Sequence, residues 1–183
     1  MPALDEKEWR EFRIQNLFDS FEGGKGKGIN HLEQVRTGGI DYIGATNRNN
    51  GVLCAVKVDD DTRRLVQRPN CIGFIRNGDG AAGYAIYRER PFISTSDVIF
   101  GYAPWVNRFT GLFFVAAQDL IKPKYSHGHK RSPERLKRDR VMLPANGDRD
   151  PDYAYMEQYA MNMMLAKYQQ YLAYLDTRVG RVE

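Results

Sequence analysis

The order of apolar and polar residues predicts a domain of mixed strands and helices over residues 1–150. Residues 71–76 form a compact apolar run, and residues 84–92 alternate in polarity after a glycine-rich turn. Two such runs joined by a tight turn are typical of paired strands. Further short strands are predicted around Tyr42 and in two later apolar runs, residues 97–100 and 111–117.

The first part of the chain has a different pattern. Residues 5–12 combine charged side chains with Trp9 and Phe12, and we expect a short helix or turn that buries the two rings. Residues 21–30 are rich in glycine and lysine, which favours an irregular loop.

One long helix is predicted at the end of the chain, in residues 151–183. After Pro151 there is no glycine or proline for 28 residues, and Asp150 or Asp152 is placed to cap the helix. At 1.5 Å per residue such a helix is about 42 Å long. One apolar seam alternates by four and three, as in a coiled coil, through Met161, Leu165, Tyr168, Leu172, Leu175 and Val179.

A second apolar stripe runs along the same helix through Tyr153, Met156, Ala160, Met163, Met164, Tyr171 and Tyr174. One stripe is enough to dock a helix on its own domain. Two stripes indicate either that the helix also packs against a partner or that it is buried centrally in its own fold. The pattern alone leaves both open.

Composition narrows the class of protein. The chain has 183 residues, of which 42% are hydrophobic and 12% aromatic, so it is globular. No apolar stretch approaches the roughly 18–20 residues that span a bilayer, and the acidic N-terminal residues indicate neither a signal nor a transit peptide. We therefore expect a cytoplasmic protein in which Cys54 and Cys71 are reduced thiols.

The net charge of +4 conceals a strong asymmetry along the chain. Residues 62–140 hold 15 basic and 6 acidic side chains, a balance of +9, whereas residues 1–61 have a balance of −3 and residues 141–183 of −2. Concentrated basic charge is typical of proteins that bind a polyanion. A solvated basic face without a partner has the same composition.

Several motifs suggest catalysis or cofactor binding but lack the context that this chemistry needs. Residues 78–83 match G-x-G-x-x-G, yet a dinucleotide site needs a helix to begin there, and the next residues alternate like a strand. His127 and His129 have no third zinc ligand nearby in the sequence. Neither cysteine has an evident His partner, and the aspartates at 59–61 do not show the converging carboxylates of a two-metal nuclease. We expect neither a metal nor a catalytic site.

Polar and basic stretches separate the predicted strands, at residues 31–36, 46–50, 76–77 and 122–138. Arg and Lys bond guanine O6 and N7 in the DNA major groove, and Asn and Gln bond adenine N6 and N7. Lys, Ser, Tyr and His more often contact phosphates. This mixture of residue types on loops favours base reading over a lysine-only patch. Turn chemistry is the simpler explanation for at least two of Asn47, Asn49 and Asn50.

Short motifs follow one another over nearly the whole chain, and their order is more specific than any one of them. They are Trp9-x-x-Phe12-x-Ile14-x-x-Leu17-Phe18, Tyr42-Ile43-Gly44-Ala45-Thr46, Asn49-Asn50-Gly51-Val52, residues 72–80, Gly83-Tyr84-Ala85-Ile86-Tyr87, Pro91-Phe92, Lys124-Tyr125-Ser126-His127-Gly128, Glu134-Arg135-Leu136-Lys137, Leu143-Pro144, Gly147, Pro151-Asp152-Tyr153 and Met156-Glu157-x-Tyr159. In this order the motifs resemble a target recognition domain of the specificity subunit of type I restriction-modification systems. The specificity subunits of type IIB systems share the pattern.

The resemblance implies a globular α/β (α+β) domain with a twisted, mainly antiparallel or mixed sheet and DNA-reading loops. A long helix follows such a domain and sets the distance to a second one. The usual subunit carries two domains and two helices, reads a split DNA target and docks the methyltransferase subunits. This sequence holds one domain and one helix, so it resembles half a specificity subunit. We expect a homodimer through the C-terminal helix or pairing with another half-subunit, and an isologous pair implies a palindromic, bipartite target.

From the residues and the resemblance together we predict a non-enzymatic reader of double-stranded DNA. S-adenosylmethionine would bind only to the separate methyltransferase, so no cofactor is expected here. The predicted phosphate contacts are Lys122, Lys124, Ser126, Lys130, Arg131, Arg135 and Lys137, and the predicted base contacts are Gln34, Arg36, Thr46, Arg48 and Arg76. The predicted contacts of the partner helix are Met161, Leu165, Tyr168, Leu172 and Leu175. Two alternatives stay open: an interaction protein that binds a methyltransferase without reading DNA, and a small nuclease with scattered acidic residues.

Overall fold

The structure is a computed structural model that describes residues 1–78, 80–126 and 129–179, without the side chain of Val179. Its strands are β1 (Trp9–Arg13), β2 (Ser20–Gly23), β3 (Gln34–Val35), β4 (Ile40–Ile43), β5 (Val52–Val56), β6 (Cys71–Ile75), β7 (Ala85–Arg88), β8 (Phe92–Ser94), β9 (Val98–Tyr102) and β10 (Arg140–Pro144). Its helices are α1 (Asp60–Arg63), α2 (Arg108–Asp119), α3 (Pro133–Arg138) and α4 (Tyr153–Val179). Short 3-10 turns lie at Ile14–Asn16, Ile29–His31, Arg48–Gly51 and Lys122–Lys124.

The central sheet has the strand order β2-β9-β6-β7, with every neighbour antiparallel. All five residues of β6 are buried, as expected for a strand that is paired on both sides and covered on both faces. The predicted pair of strands around the glycine-rich turn is therefore β6 and β7. Because an antiparallel strand follows residues 78–83, the G-x-G-x-x-G match is not a dinucleotide site.

A second sheet, with the order β3-β5-β4-β8, packs beside the first. Its pairs are antiparallel except that β4 runs parallel to β8, with Ile43 opposite Ser94. The turn between β4 and β5 contains Asn49 and Asn50, both with positive φ (47° and 49°). Asn tolerates this left-handed region better than most residues, so these two positions follow the turn chemistry predicted for them.

The prediction of a short helix or turn at residues 5–12 holds only for the start of the segment. Residues 4–6 form a turn, in which the Glu6 N–H donates to the Ala3 carbonyl, whereas residues 9–12 lie in β1. This strand pairs antiparallel with β10 from Trp9 opposite Pro144 to Arg13 opposite Arg140. Trp9 stacks on Phe113 of α2, with ring centroids 6.1 Å apart. A strand partner more than 120 residues away decides the local structure here, and the local pattern does not contain that information.

Residues 111–117 are helical, not a strand as predicted. The side chain of Asn107 accepts hydrogen bonds from the backbone N–H groups of Phe109 and Thr110, and Thr110 bonds back to the cap residue. This reciprocal capping box starts α2. Gly111 lies so close to β7 that a Cβ there would be 2.5 Å from the Tyr87 ring.

The main core lies between the central sheet, α2 and the first turns of α4. Phe18 lies at its centre, with ring centroids 5.3 Å from Trp105, 5.5 Å from Phe114 and 5.6 Å from Phe74. Met156 of α4 is fully buried in the same cluster. The predicted α/β (α+β) fold with a mixed sheet and a long C-terminal helix is confirmed.

Several different contacts fix the start of α4 to the domain. Asp152 caps the helix by accepting from the Tyr155 backbone N–H at 3.0 Å, and it also forms an ion pair with Lys7 at 2.6 Å. Tyr153 stacks on Trp105 with ring centroids 4.7 Å apart. The Tyr155 hydroxyl donates to the carbonyl of Pro2. Asp150 and Asp152 were the two predicted capping residues, and Asp152 is the one that caps the helix.

Met156→Ala is expected to lower the free energy of unfolding by about 2–5 kcal/mol, because the substitution leaves a cavity at a fully buried position. Urea denaturation of the purified chain measures this change. Gln158→Ala, at an exposed position on the same helix, is the matched control and should change stability by less than about 0.5 kcal/mol. Equal effects of the two substitutions would contradict the described docking of α4.

Candidate nucleic-acid interface

Four polar segments meet at one end of the two sheets. Ile75 pairs with Val98 and Ile43 pairs with Ser94, so the turns that follow or precede these residues share that end. The segments are residues 44–51, 76–84, 95–97 and 122–132, without Asp79, His127 and Gly128, which lie outside the described residues. We call this group the loop cluster.

Backbone contacts hold the loop cluster together. The Arg76 N–H donates to the Asp97 carbonyl at 2.9 Å, and the Arg131 N–H donates to the Arg76 carbonyl at 3.0 Å. The Thr95 N–H donates to the Ile43 carbonyl at 3.0 Å. A Cβ at Gly78 would lie 2.5 Å from the carbonyl oxygen of Ala45, so only glycine permits this close approach of two turns.

Seven of the predicted DNA contacts lie in the loop cluster with accessible side chains. Arg76 is half-buried, and its Nη1 donates to the Ser96 carbonyl at 3.3 Å. The Thr46 hydroxyl accepts from the Arg48 backbone N–H at 3.2 Å. The Nζ of Lys122 lies 5.7 Å from the centre of the Tyr84 ring. The seven residues are Thr46, Arg48, Arg76, Lys122, Lys124, Ser126 and Lys130.

Two other predicted contacts are on the nearby helix α3. Arg135 is linked to the loop cluster, because its Nη1 donates to the Lys130 carbonyl at 3.2 Å. Lys137 is exposed but two residues further along the helix, and residues spaced by two do not share a helix face. Lys137 therefore does not point in the direction of Arg135.

Gln34 and Arg36 are not brought to the loop cluster. Gln34 is on the edge strand β3, opposite Val56, whereas the loop cluster adjoins the other end of β5, where Val52 lies opposite Ile43. At about 3.3 Å per residue the length of β5 separates Gln34 from the turn that holds Thr46. Arg36 follows β3 on the same edge and is exposed.

Arg131 was predicted to contact phosphate, and this assignment is wrong. Its side chain has no exposed surface. The guanidinium forms an ion pair with Asp139 at 2.8 Å, and its Nη1 donates to Gln118 Oε1 at 2.9 Å and to the Gly83 carbonyl at 3.3 Å. The sequence places Arg131 among six accessible basic residues of one segment, and nothing local distinguishes the one that folds inward.

Charge pairing separates the accessible candidates from other cations. Lys7, Arg10, Lys57, Arg68 and Arg140 each form an ion pair with a carboxylate. Among the residues that the structure describes, none of the exposed or half-buried candidates has a carboxylate within 4.0 Å; these are Arg36, Arg48, Arg76, Lys122, Lys124, Lys130, Arg135 and Lys137. Their positive charge is therefore available to an external anion.

The turn of residues 95–97 and the Tyr84 ring were not predicted as parts of the site. Both lack the basic residues that identified the other segments. Asp97 accepts from the Asn77 amide at 3.4 Å and its carbonyl accepts from Arg76, so this turn orients the neighbouring polar side chains. The polar run that directly follows β8 is the signal that could have indicated it.

The second part of α4 leaves the domain. All five predicted partner contacts have exposed side chains, from 36% for Leu175 to 62% for Tyr168; the others are Met161, Leu165 and Leu172. The second stripe divides, because Met156 and Ala160 face the core whereas Tyr171 and Tyr174 are exposed. A central burial of the whole helix, the alternative left open by the pattern, is therefore wrong.

Other kinds of site find little support in the described residues. Within them, no group of three or more His, Cys, Asp or Glu side chains could hold a metal ion, and no helix is long and apolar enough to cross a membrane. His127 lies outside the described residues, so the expectation that His127 and His129 form no zinc site stays a prediction.

The chain is similar in sequence to the specificity subunit S.BcgI of a type II restriction enzyme from Heyndrickxia coagulans. The two are 27% identical over 165 residues, which cover 88% of this chain and 45% of that protein. No family model matches the chain. The chain thus spans less than half the length of this curated relative.

Solved structures with a similar fold are also specificity subunits. The S subunit of a type I restriction-modification system from M. genitalium matches with a TM-score of 0.59 and 18% identity, over 95% of this chain and 43% of that chain. The HsdS subunit from Thermoanaerobacter tengcongensis matches with a TM-score of 0.55 and 14% identity, over 88% and 40%. The chain therefore shares the fold of about two fifths of each of these S subunits. The resemblance of the sequence to the specificity subunits of restriction-modification systems is confirmed.

A buried tyrosine beneath the loop cluster gives a test of the described environment. Burial and the hydrogen bond that its hydroxyl donates to Asp139 raise the pKa of Tyr125 to about 12. The folded state then holds this proton more tightly than the unfolded state, where the pKa is about 10. The contribution to stability is complete below about pH 10 and is lost as the pH rises through about 12.

We therefore expect the stability difference between the wild type and Tyr125→Phe to shrink as the pH rises from about 10 to about 12. Urea denaturation at each pH measures it. Gln158→Ala, at an exposed position with no ionisable group, is the control whose difference from the wild type should stay constant. A constant difference for Tyr125→Phe would contradict the assigned contacts.

Proposed function

We propose that this chain reads a specific sequence in double-stranded DNA as the specificity component of a restriction-modification system. The observation that supports this most directly is the loop cluster itself. It places Arg, Lys, Thr and Ser side chains from separate segments at one end of the fold, and its accessible cations have no carboxylate partner among the described residues. Such a combination can neutralise phosphates and bond base edges at the same time.

The composition of the loop cluster suggests a division of roles. Arg76, Arg48 and Thr46 come from two turns that touch each other, and their donors suit base edges in the major groove. Lys122, Lys124, Ser126 and Lys130 come from one segment beside these turns, and lysine and serine side chains suit phosphates. Arg135 extends the second group. Gln34, Arg36 and Lys137 lie away from this arrangement and are given no role in it.

Catalysis is assigned to a separate subunit. S.BcgI is named as the specificity subunit of a restriction enzyme, and one of the similar structures belongs to a study of complex assembly in a type I system. By analogy, we propose that this chain is not an enzyme and directs a methyltransferase that carries S-adenosylmethionine. The complex would act on DNA in the cytoplasm, with Cys54 and Cys71 as free thiols.

The exposed seam of α4 is assigned to pairing with a second copy of the chain or with another half-subunit. The seam is the apolar surface that the domain leaves uncovered, with Leu165, Tyr168 and Leu172 each more than half exposed. In an antiparallel pair, Tyr168 would face Leu172 of the partner subunit, and Leu165 would face Leu175 of the partner subunit. This direction keeps the two domains at opposite ends, and the isologous contact implies a palindromic, bipartite target.

Binding to random-sequence duplex DNA is expected to weaken as salt rises, with a slope of about −0.9 for each phosphate neutralised. The double variant Lys122→Gln, Lys124→Gln should reduce the magnitude of the slope by about 2, because two contacts are lost. Fluorescence anisotropy of a labelled duplex over a range of salt concentrations measures both slopes.

The matched control is the double variant Arg10→Gln, Lys57→Gln, which removes two exposed cations that already pair with carboxylates elsewhere. Its slope should equal that of the wild type. An affinity of the wild type that does not change with salt would contradict the DNA-reading function and favour a protein that only binds a methyltransferase. Metal-dependent cleavage of DNA by the chain alone would contradict the non-enzymatic role.

Leu172→Asp is expected to abolish self-association, because it places a charge in the middle of the apolar seam. Sedimentation velocity over a range of protein concentrations measures the oligomeric state. Leu120→Asp is the control, since Leu120 is an exposed leucine of the domain that is 79% accessible and lies outside α4. A wild type that stays monomeric at high concentration would exclude the homodimer and leave pairing with a different half-subunit.

A further inference from the structure

Arg131 belongs to residues 122–132, which we call the basic segment, but the proposed DNA contacts do not use its side chain. It is fully buried, although charged groups are almost never fully buried unless they are paired. Burial lowers the pKa of its guanidinium, and the nearby carboxylate of Asp139 opposes that effect. A buried ion pair is weak evidence for added stability, because desolvation offsets much of the attraction. The contacts of Arg131 therefore need an explanation other than a gain in the stability of the fold.

The guanidinium joins three parts of the chain that meet under the loop cluster. Its Nε donates to Asp139 Oδ2 at 3.0 Å, next to the start of β10. Its Nη1 donates to Gln118 at the end of α2 and to the carbonyl of Gly83 in the turn between β6 and β7. Asp139 also accepts from the Tyr125 hydroxyl at 2.7 Å. Two residues of the basic segment, Tyr125 and Arg131, are therefore hydrogen-bonded to the same carboxylate.

The Gly83 carbonyl is the point where the turn and the basic segment are fixed to each other. It accepts from Gln118 Nε2 at 2.9 Å as well as from Arg131. Gly83 has a φ of 95°, and a Cβ there would lie 2.9 Å from the Tyr125 ring and 3.1 Å from the Cα of Lys122. The turn that begins at Arg76 is thus in direct backbone contact with the segment that carries the lysines.

We propose that Arg131 is a positioning residue that fixes the described residues of the turn 76–84 (all but Asp79) against those of the basic segment 122–132 (all but His127 and Gly128), and thereby controls sequence discrimination rather than general affinity for DNA. The proposal rests on the proposed DNA-reading function. The accessible cations remain in place when Arg131 is changed, so the charge that attracts any duplex is retained. What is lost is the fixed spacing between Arg76 and the lysines, and base contacts depend on geometry more than phosphate contacts do.

The test compares Arg131→Lys with Arg138→Lys. Arg131→Lys keeps a charge near Asp139 but replaces the planar fork by one ammonium, which cannot reach all three partners in the same geometry. Arg138 is an exposed arginine of the neighbouring helix α3, so its variant is the matched control. A duplex enriched from a randomised library by the wild-type chain serves as the specific probe, and a scrambled duplex of equal length serves as the non-specific probe.

For Arg131→Lys we expect a loss of about tenfold or more in affinity for the enriched duplex, comparable to one lost base contact. Affinity for the scrambled duplex and its salt slope should change by less than about twofold. Arg138→Lys should leave the ratio of the two affinities unchanged. Equal losses on both probes, or no loss on either, would overturn the proposal.

A second variant keeps the proposal testable if Arg131→Lys does not fold. Gln118→Met conserves volume and removes one of the two hydrogen bonds to the Gly83 carbonyl while the Arg131–Asp139 pair remains. It should show the same selective loss of affinity for the enriched duplex, and an unchanged ratio would overturn the proposal.

Amide hydrogen exchange separates a failure of this inference from a failure of the DNA-reading function. If the wild-type chain enriches no sequence, the proposed function is wrong, and the positioning role still predicts faster exchange in residues 76–84 and 122–131 of Arg131→Lys than of Arg138→Lys. Equal exchange in the two variants would show that Arg131 does not hold these segments together.

Discussion

The structure depends above all on the pairing of β6 with β7 on one side and β9 on the other. Each fully buried side chain of β6, such as Ile72 or Phe74, contributes roughly 1.5–3 kcal/mol. Because a shift by one residue would turn these side chains to the opposite faces of the sheet, the register is strongly specified. The same register brings the turns after β6 and before β9 to one end of the sheet. The location of the loop cluster is thus a consequence of core packing.

The loop cluster combines two populations of polar groups. One population forms hydrogen bonds within the protein and includes Asn49, Asn50 and Arg131. The Asn50 amide donates to the carbonyl of Tyr87, and the Asn49 amide donates to the carbonyl of Val52. Lys122, Lys124 and Lys130 have no carboxylate partner among the described residues and face outward. The inward groups determine the shape of the surface, and the outward groups determine its charge. A basic stretch in a sequence contains both kinds, and only the fold separates them.

How far the sequence predicted the structure depends on the range of the deciding interaction. The strands β6 and β7 and the helix α4 were predicted, because their patterns are local and long enough to be distinctive. The strand β1 was not, since its partner β10 lies far along the chain. The apolar run within α2 is short and by itself predicts a strand, whereas the signal for a helix is the capping pair Asn107 and Thr110 that precedes and begins it. The burial of Arg131 depends on Asp139, Gln118 and Gly83 together, which no spacing rule connects.

The junction of α4 with its domain has a mechanical consequence. Beyond Met164, which is half-buried, the helix projects from the domain for about 22 Å, at 1.5 Å per residue over 15 residues. It therefore acts as a lever whose pivot is the group of contacts around Asp152, Tyr153 and Tyr155. The far end lies about 36 Å from that pivot, so a rotation of about 10° there would displace it by about 6 Å, slightly more than one turn of helix. The cap, the ion pair with Lys7 and the stacked rings give the pivot the stiffness that a long arm requires.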